Sequence, residues 1–207
     1  RHFLFAAAAL AAFATPAVAE TIAITGGRVV VGDGTAPIDG GTVIIRDGNV
    51  IAAGASVAVP ADARRIDAKG KWVTPGVFAG FTRLGLSEVD AVKGTNDKSG
   101  GKSGFSAAID VAPAIDPFRS PFAVNRAAGV TRAVVAPEAA ESIFAGQGAI
   151  ADLGADSNPV TRARAFQFAE FGEDGAALSG GSRAGAHLHF RAMLREAQDY
   201  AAGRGNF

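Results

Sequence analysis

No cysteine occurs among the 207 residues. That excludes a disulfide framework, Cys-ligated zinc or iron–sulfur centres, and a thiol nucleophile. No sign of charge is in excess either, because twenty basic residues balance twenty acidic ones. A chain without a basic surplus lacks the electrostatic footprint of a nucleic-acid-binding surface, and nucleic acid is not expected as a partner. After residue 19 no apolar run reaches the length of a membrane span, so no membrane span is expected.

The apolar run that does exist lies at the start. Arg1-His2 is followed by an almost unbroken apolar stretch from Phe3 to Phe13, then by Thr15-Pro16-Ala17-Val18-Ala19-Glu20. A basic opening, a short apolar stretch and small residues at Ala17 and Ala19 form the pattern of a secretory signal cleaved after Ala19. Residues 1–19 are therefore expected to be a signal peptide, with the mature chain periplasmic or secreted.

From Thr21 to Thr74 the sequence reads as short strands. Thr21–Thr25 and Arg28–Val31 flank a Gly26-Gly27 turn. Thr42–Arg46 and Asn49–Ala53 flank Asp47-Gly48, a dipeptide suited to the positive φ angles of a tight hairpin. Arg64–Ala68 and Trp72–Thr74 follow. Glycine turns at short spacing suggest a small sandwich or partial barrel over residues 20–74.

After Thr74-Pro75-Gly76 the period changes. Val77–Leu86 reads as a buried strand with a loop at its end. Glu88–Gly104, polar and glycine-rich, reads as an exposed, mobile loop. Pro121–Ala128 reads as a short helix ended by Gly129, and Val130–Pro137 as a buried strand. Helix, glycine, strand is the grammar of βα units around a parallel sheet. Ile143–Leu153 reads as a hairpin or excursion turning at Gly146-Gln147-Gly148. Arg183–Ala202 has the apolar spacing of a long helix.

Three stretches carry a resemblance: Ile24–Val30, Val43–Gly54 (VIIRDGNVIAAG) and Ile66–Gly76 (IDAKGKWVTPG). In this order they resemble the N-terminal region of the amidohydrolase superfamily. Arg126-Ala127-Ala128-Gly129-Val130-Thr131 and Ala145-Gly146-Gln147-Gly148-Ala149 look like its secreted, imidazolonepropionase-related branch. The resemblance implies an α/β fold: a small β-sandwich, then the first part of a (β/α)8 TIM-type barrel over residues 75–207. A whole barrel takes about 250 residues, so the chain is expected to be an N-terminal, truncated portion.

The implied chemistry is hydrolysis of non-peptide carbon–nitrogen bonds in a small-molecule substrate. It is assisted by a divalent metal, usually zinc, held in part by a His-x-His pair on the first barrel strand. Alternate residues on a strand share one side, which lets two imidazoles reach one ion. Counted from Pro75-Gly76, the two ligand positions are Phe81 and Arg83, and the preceding Asp position is Ala79. A phenyl ring cannot ligate zinc and a guanidinium repels it.

His187-Leu188-His189 has the spacing of the missing pair but falls in a helical stretch, where residues two apart diverge by about 200°. Arg83 is read either as a holder of an anionic substrate group or as the partner of Glu88 or another local carboxylate. Glu88 is the second candidate for substrate contact. Asp110 and Asp116 read as loop residues. Three functions remain open: an exported hydrolase, a catalytically silent relative acting as a binding or heteromeric partner, and a purely structural or carbohydrate-binding β module. Homo- and hetero-oligomers are both compatible with the sequence.

Overall fold

A computed structural model describes residues 20–205. The expected signal peptide lies outside them. The chain divides between Pro75 and Gly76 into two units.

In the first unit, β1 (Thr21–Val29), β2 (Ile38–Arg46), β3 (Asn49–Gly54), β4 (Arg64–Asp67) and β5 (Trp72–Val73) form one mixed sheet. Its order is β3-β2-β1-β4, with β5 also on β1. β1 is antiparallel to β2 and parallel to β4 and β5. Asp47 and Gly48 take φ of 49° and 75°, the left-handed pair that the β2–β3 hairpin requires. Ala23, Val29, Val43 and Ile44 are buried.

Two expectations change here. Gly26-Gly27 is no turn: β1 runs straight through it and the register against β2 slips by a bulge. Among the described residues of this unit there is also no second sheet to make a sandwich, because β4 and β5 both dock along β1 and extend the same layer.

In the second unit, β6 (Val77–Thr82), β7 (Val130–Val135), β8 (Phe144–Asp152) and β9 (Val160–Ala169) form a four-stranded sheet in sequential order. β6 and β7 are parallel, and α1 (Ser120–Ala127) lies between them in sequence, as a parallel connection requires. Pro121 stands in the first turn of α1, where its missing N–H has no helical partner to lose. β8 and β9 then add antiparallel. The described sheet is thus mixed: two parallel strands followed by two antiparallel ones.

Phe122 from α1 packs, fully buried, with Leu86, Val111, Ile115, Val135, Ala149 and Leu153. α2 (Glu173–Ala177) and α3 (Arg183–Ala201) follow the sheet. The Ser182 side chain caps α3 by accepting from Gly185 N. Phe190 ties α3 down by stacking on Phe144 and meeting Phe171 edge-on.

The expected turn at Gly146-Gln147-Gly148 is instead the interior of β8. Glycine is required at 148 because the Phe166 ring of β9 occupies the space of a Cβ. β6 was expected to be buried, yet Val77, Phe78 and Phe81 are more than half exposed. Among the described residues it is an edge strand, with β7 as its one neighbour.

Candidate functional site

Parallel strands present the residues that follow them on a common edge, and α/β proteins place their sites there. β6 ends at Thr82 and β7 at Val135. The two ends are clamped together: Thr82 Oγ1 donates to Val134 O at 2.8 Å, and Ala136 N to Thr82 O at 2.9 Å. Beyond them opens a cleft of about 750 Å³ lined by Arg83, Leu84, Glu88, Lys98, Pro121 and Glu138, among others.

Arg83 follows β6 directly. Its Nε donates to Glu138 Oε2 at 3.3 Å, and its guanidinium carbon lies 5.2 Å from the centroid of the Phe81 ring. Phe81 and Arg83 therefore do project to one side, as alternation on a strand demands. The same Glu138 oxygen lies 3.3 Å from Lys98 Nζ, which is 3.4 Å from Asp90 Oδ1. The side chains of Lys98, Arg83 and Glu138 are 16%, 25% and 44% exposed and less screened than a surface pair, whereas Asp90, 80% exposed, forms the solvent end of the network. Its order is Asp90–Lys98–Glu138–Arg83.

The backbone holds the same frame. Glu138 N donates to Lys98 O at 2.7 Å and Asp97 N to Leu86 O at 2.7 Å. Arg119 reaches Thr95 O at 2.6 Å and Asp97 Oδ2 at 2.7 Å. Residues 88–98 of the stretch read as an exposed, mobile loop are thereby tied across the strand ends, while 101–104 are exposed as expected. The Asp90 carboxyl is held below the usual carboxylate range, first by the neighbouring Ser87 hydroxyl and then by Lys98. Among the described residues the buried Ser87 Oγ has no well-directed hydrogen-bond partner, so it acts on Asp90 as a nearby dipole.

Glu88 lines the cleft but is not the partner of Arg83. Its Oε2 accepts from Ser120 N at 2.9 Å and its Oε1 from Ser120 Oγ. A carboxylate at that place satisfies and neutralises the N-terminus of α1. Of the two sequence candidates, Arg83 belongs to the charged network and Glu88 to the wall of the cleft.

The remaining candidates are dispersed. His187 stacks on Phe171 at 4.8 Å, and both His187 and His189 lie on α3. Asp110 accepts from Ala112 N and pairs with Arg164; Asp116 accepts from Phe118 N. Sequence reading missed Lys98 and Glu138. Glu138 carried a usable signal as the first ionisable residue after the Val130–Pro137 strand. Lys98 carried none, because it is one of three lysines in a glycine-rich stretch.

The donor set at this edge does not fit a divalent metal. Phe81 and Arg83, the positions at which the resemblance implies ligands, hold a ring and a cation, and each carboxylate of the network already faces an ammonium or a guanidinium. Among the described residues no three His, Asp or Glu side chains group closely enough to hold a metal ion.

No protein-family model matches the chain, and no curated protein matches it. A crystal structure of an amidohydrolase from Thermotoga maritima MSB8 resembles it at TM-score 0.74 and 19% identity, covering 90% of this chain and 52% of that one. The fold is shared. This chain spans about half the length of that protein. A structure of molinate hydrolase is 40% identical over 33% of this chain and 15% of its own, at TM-score 0.30, an overlap too small to bear on the fold.

Proposed function

We propose that the chain is the N-terminal portion of an amidohydrolase-type hydrolase acting on non-peptide carbon–nitrogen bonds. The observation that carries this reading is the fold shared with the Thermotoga amidohydrolase over nine-tenths of the chain. The motif order from Ile24 to Gly76 adds to it, as do the strand ends opening into a charged cleft. The imidazolonepropionase-related branch and a (β/α)8 barrel completed by further chain belong to the same proposal. Export rests on the pattern of residues 1–20.

Within this reading the described residues bind and orient. Arg83 meets an anionic or carbonyl group of the substrate, Glu138, itself held by Lys98, fixes the guanidinium in place, and Glu88 acts indirectly by setting α1 in the cleft wall. No step is assigned to a metal here, since the residues at the end of β6 do not suit one.

The second reading, a catalytically silent relative serving as a binding or heteromeric partner, is favoured by Phe81 and Arg83 themselves. The intact protein assayed against N-acyl amino acids and cyclic amides, with its metal content measured, separates the two. Turnover that co-purifies with the protein supports the hydrolase. Homogeneous, folded protein with no turnover of either class, with or without added zinc, supports the silent relative.

A further inference from the structure

We infer that the cleft beyond β6 and β7 binds a monocarboxylate bearing a flat apolar body, through the unused edge of the Arg83 guanidinium. The inference concerns the substrate class of the proposed hydrolase site and rests on that reading only for its biological role.

Arg83 uses Nε on Glu138; among the described residues nothing hydrogen-bonds its Nη1 or Nη2. Two parallel N–H donors on a planar cation match the two oxygens of a carboxylate. The Arg83 side chain is only a quarter exposed, and its guanidinium is contacted on two sides, by Glu138 and by the Phe81 ring. A fixed guanidinium loses less freedom on binding than a solvated one.

The surroundings select the ligand. Phe81 is 59% exposed and also contacts Phe168, ring to ring at 5.5 Å. Together with Leu84 and Pro121 in the cleft wall it offers an apolar surface beside the charge. The network holds two cations and two carboxylates, Arg83 and Lys98 against Glu138 and Asp90. A monoanion can join Arg83 there, whereas the second charge of a phosphate would face Glu138 across a few ångströms.

The test uses the intact protein, phenylacetate as probe, and phenylacetamide and inorganic phosphate as comparisons, read by calorimetry and saturation-transfer NMR. Phenylacetate is expected to bind saturably, with phenylacetamide and phosphate at least tenfold weaker. R83Q, checked for folding by circular dichroism, should weaken phenylacetate by roughly tenfold to a hundredfold, the loss of a charge-assisted bidentate contact. R83K, which keeps the charge without the fork, should fall between.

A measurement without any variant is the Arg83 Nε–H resonance, which should move with phenylacetate and stay with phenylacetamide. Absence of saturable phenylacetate binding, undiminished binding to folded R83Q, or phosphate binding as tightly as phenylacetate overturns the inference. Phenylacetate binding without turnover of N-acyl amino acids or cyclic amides removes only the hydrolase reading, and turnover of those substrates without Arg83-dependent phenylacetate binding removes only this one.

Discussion

Glu138→Gln is the perturbation that asks most of the charged network. The glutamine keeps the size of the side chain and an acceptor oxygen, and the Glu138 N–H to Lys98 O bond stays in place. What is lost is one negative charge lying 3.3 Å from both Arg83 Nε and Lys98 Nζ. At an effective dielectric constant near 20 each contact has a gross attraction of about 5 kcal/mol, most of which is offset by desolvation. Exposed pairs are worth about 0.2–1 kcal/mol and breaking a buried one costs about 3–5 kcal/mol.

With Glu138 nearly half exposed and Asp90 still facing Lys98, the expected loss is about 1–2 kcal/mol for the two contacts together. For a chain of this size that lowers Tm by about 2–8 °C. Thermal and denaturant unfolding of the intact protein at low salt measure it, and part of the difference should vanish at high salt. An R83Q/E138Q cycle should show positive coupling. If E138Q melts within 1 °C of the parent at low salt, the carboxylate does not hold the two cations and the network is incidental.

Three further outcomes follow from the same structure. Phe122→Ala empties the centre of the second unit's core and should cost about 3–5 kcal/mol in denaturant unfolding; a loss under 1 kcal/mol would show that α1 is not packed as described. Glu88→Gln should cost about 0.5–1 kcal/mol by removing the charge at the start of α1, with hydrogen exchange quickening first at the α1 amides; unchanged exchange there would contradict the capping role. Asp90 has its folded pKa below the unfolded one, so its stabilisation is full above the unfolded carboxylate range and fades as pH falls through the folded value. Asp90→Asn should therefore flatten the stability curve below about pH 4 and leave its shape above neutrality unchanged; a changed alkaline side would refute that sign.

Local chemistry was legible in the sequence where it acts alone. Asp47-Gly48 dictated its hairpin, Gly129 its helix stop, and the Arg183–Ala202 periodicity its helix. What failed were the places where a partner strand decides. Gly26-Gly27 reads as a turn in isolation, but β2 continues past it and holds β1 in one piece. Gly146-Gln147-Gly148 reads as a turn for the same reason, and only the Phe166 ring from β9 shows why the glycines lie in a strand. Val77–Thr82 has the composition of a buried strand, and whether it is buried depends on neighbours that composition does not name.

The candidate site divides likewise. Phe81 and Arg83 were located by counting along one strand. Their true companions, Lys98 and Glu138, come from segments 15 and 55 residues away from Arg83, joined by tertiary contacts that no local pattern encodes.

The end of β6 holds a cation–carboxylate network whose donors do not suit a divalent metal. Anomalous scattering at the zinc edge, from crystals of the intact protein grown with zinc, tests it most directly. The expected map has no zinc peak within bonding distance of any side chain from residues 77–98, with Arg83 and Lys98 still on Glu138. A zinc ion coordinated at that strand end by Glu138 or Asp90, with the two cations swung aside, would contradict the account.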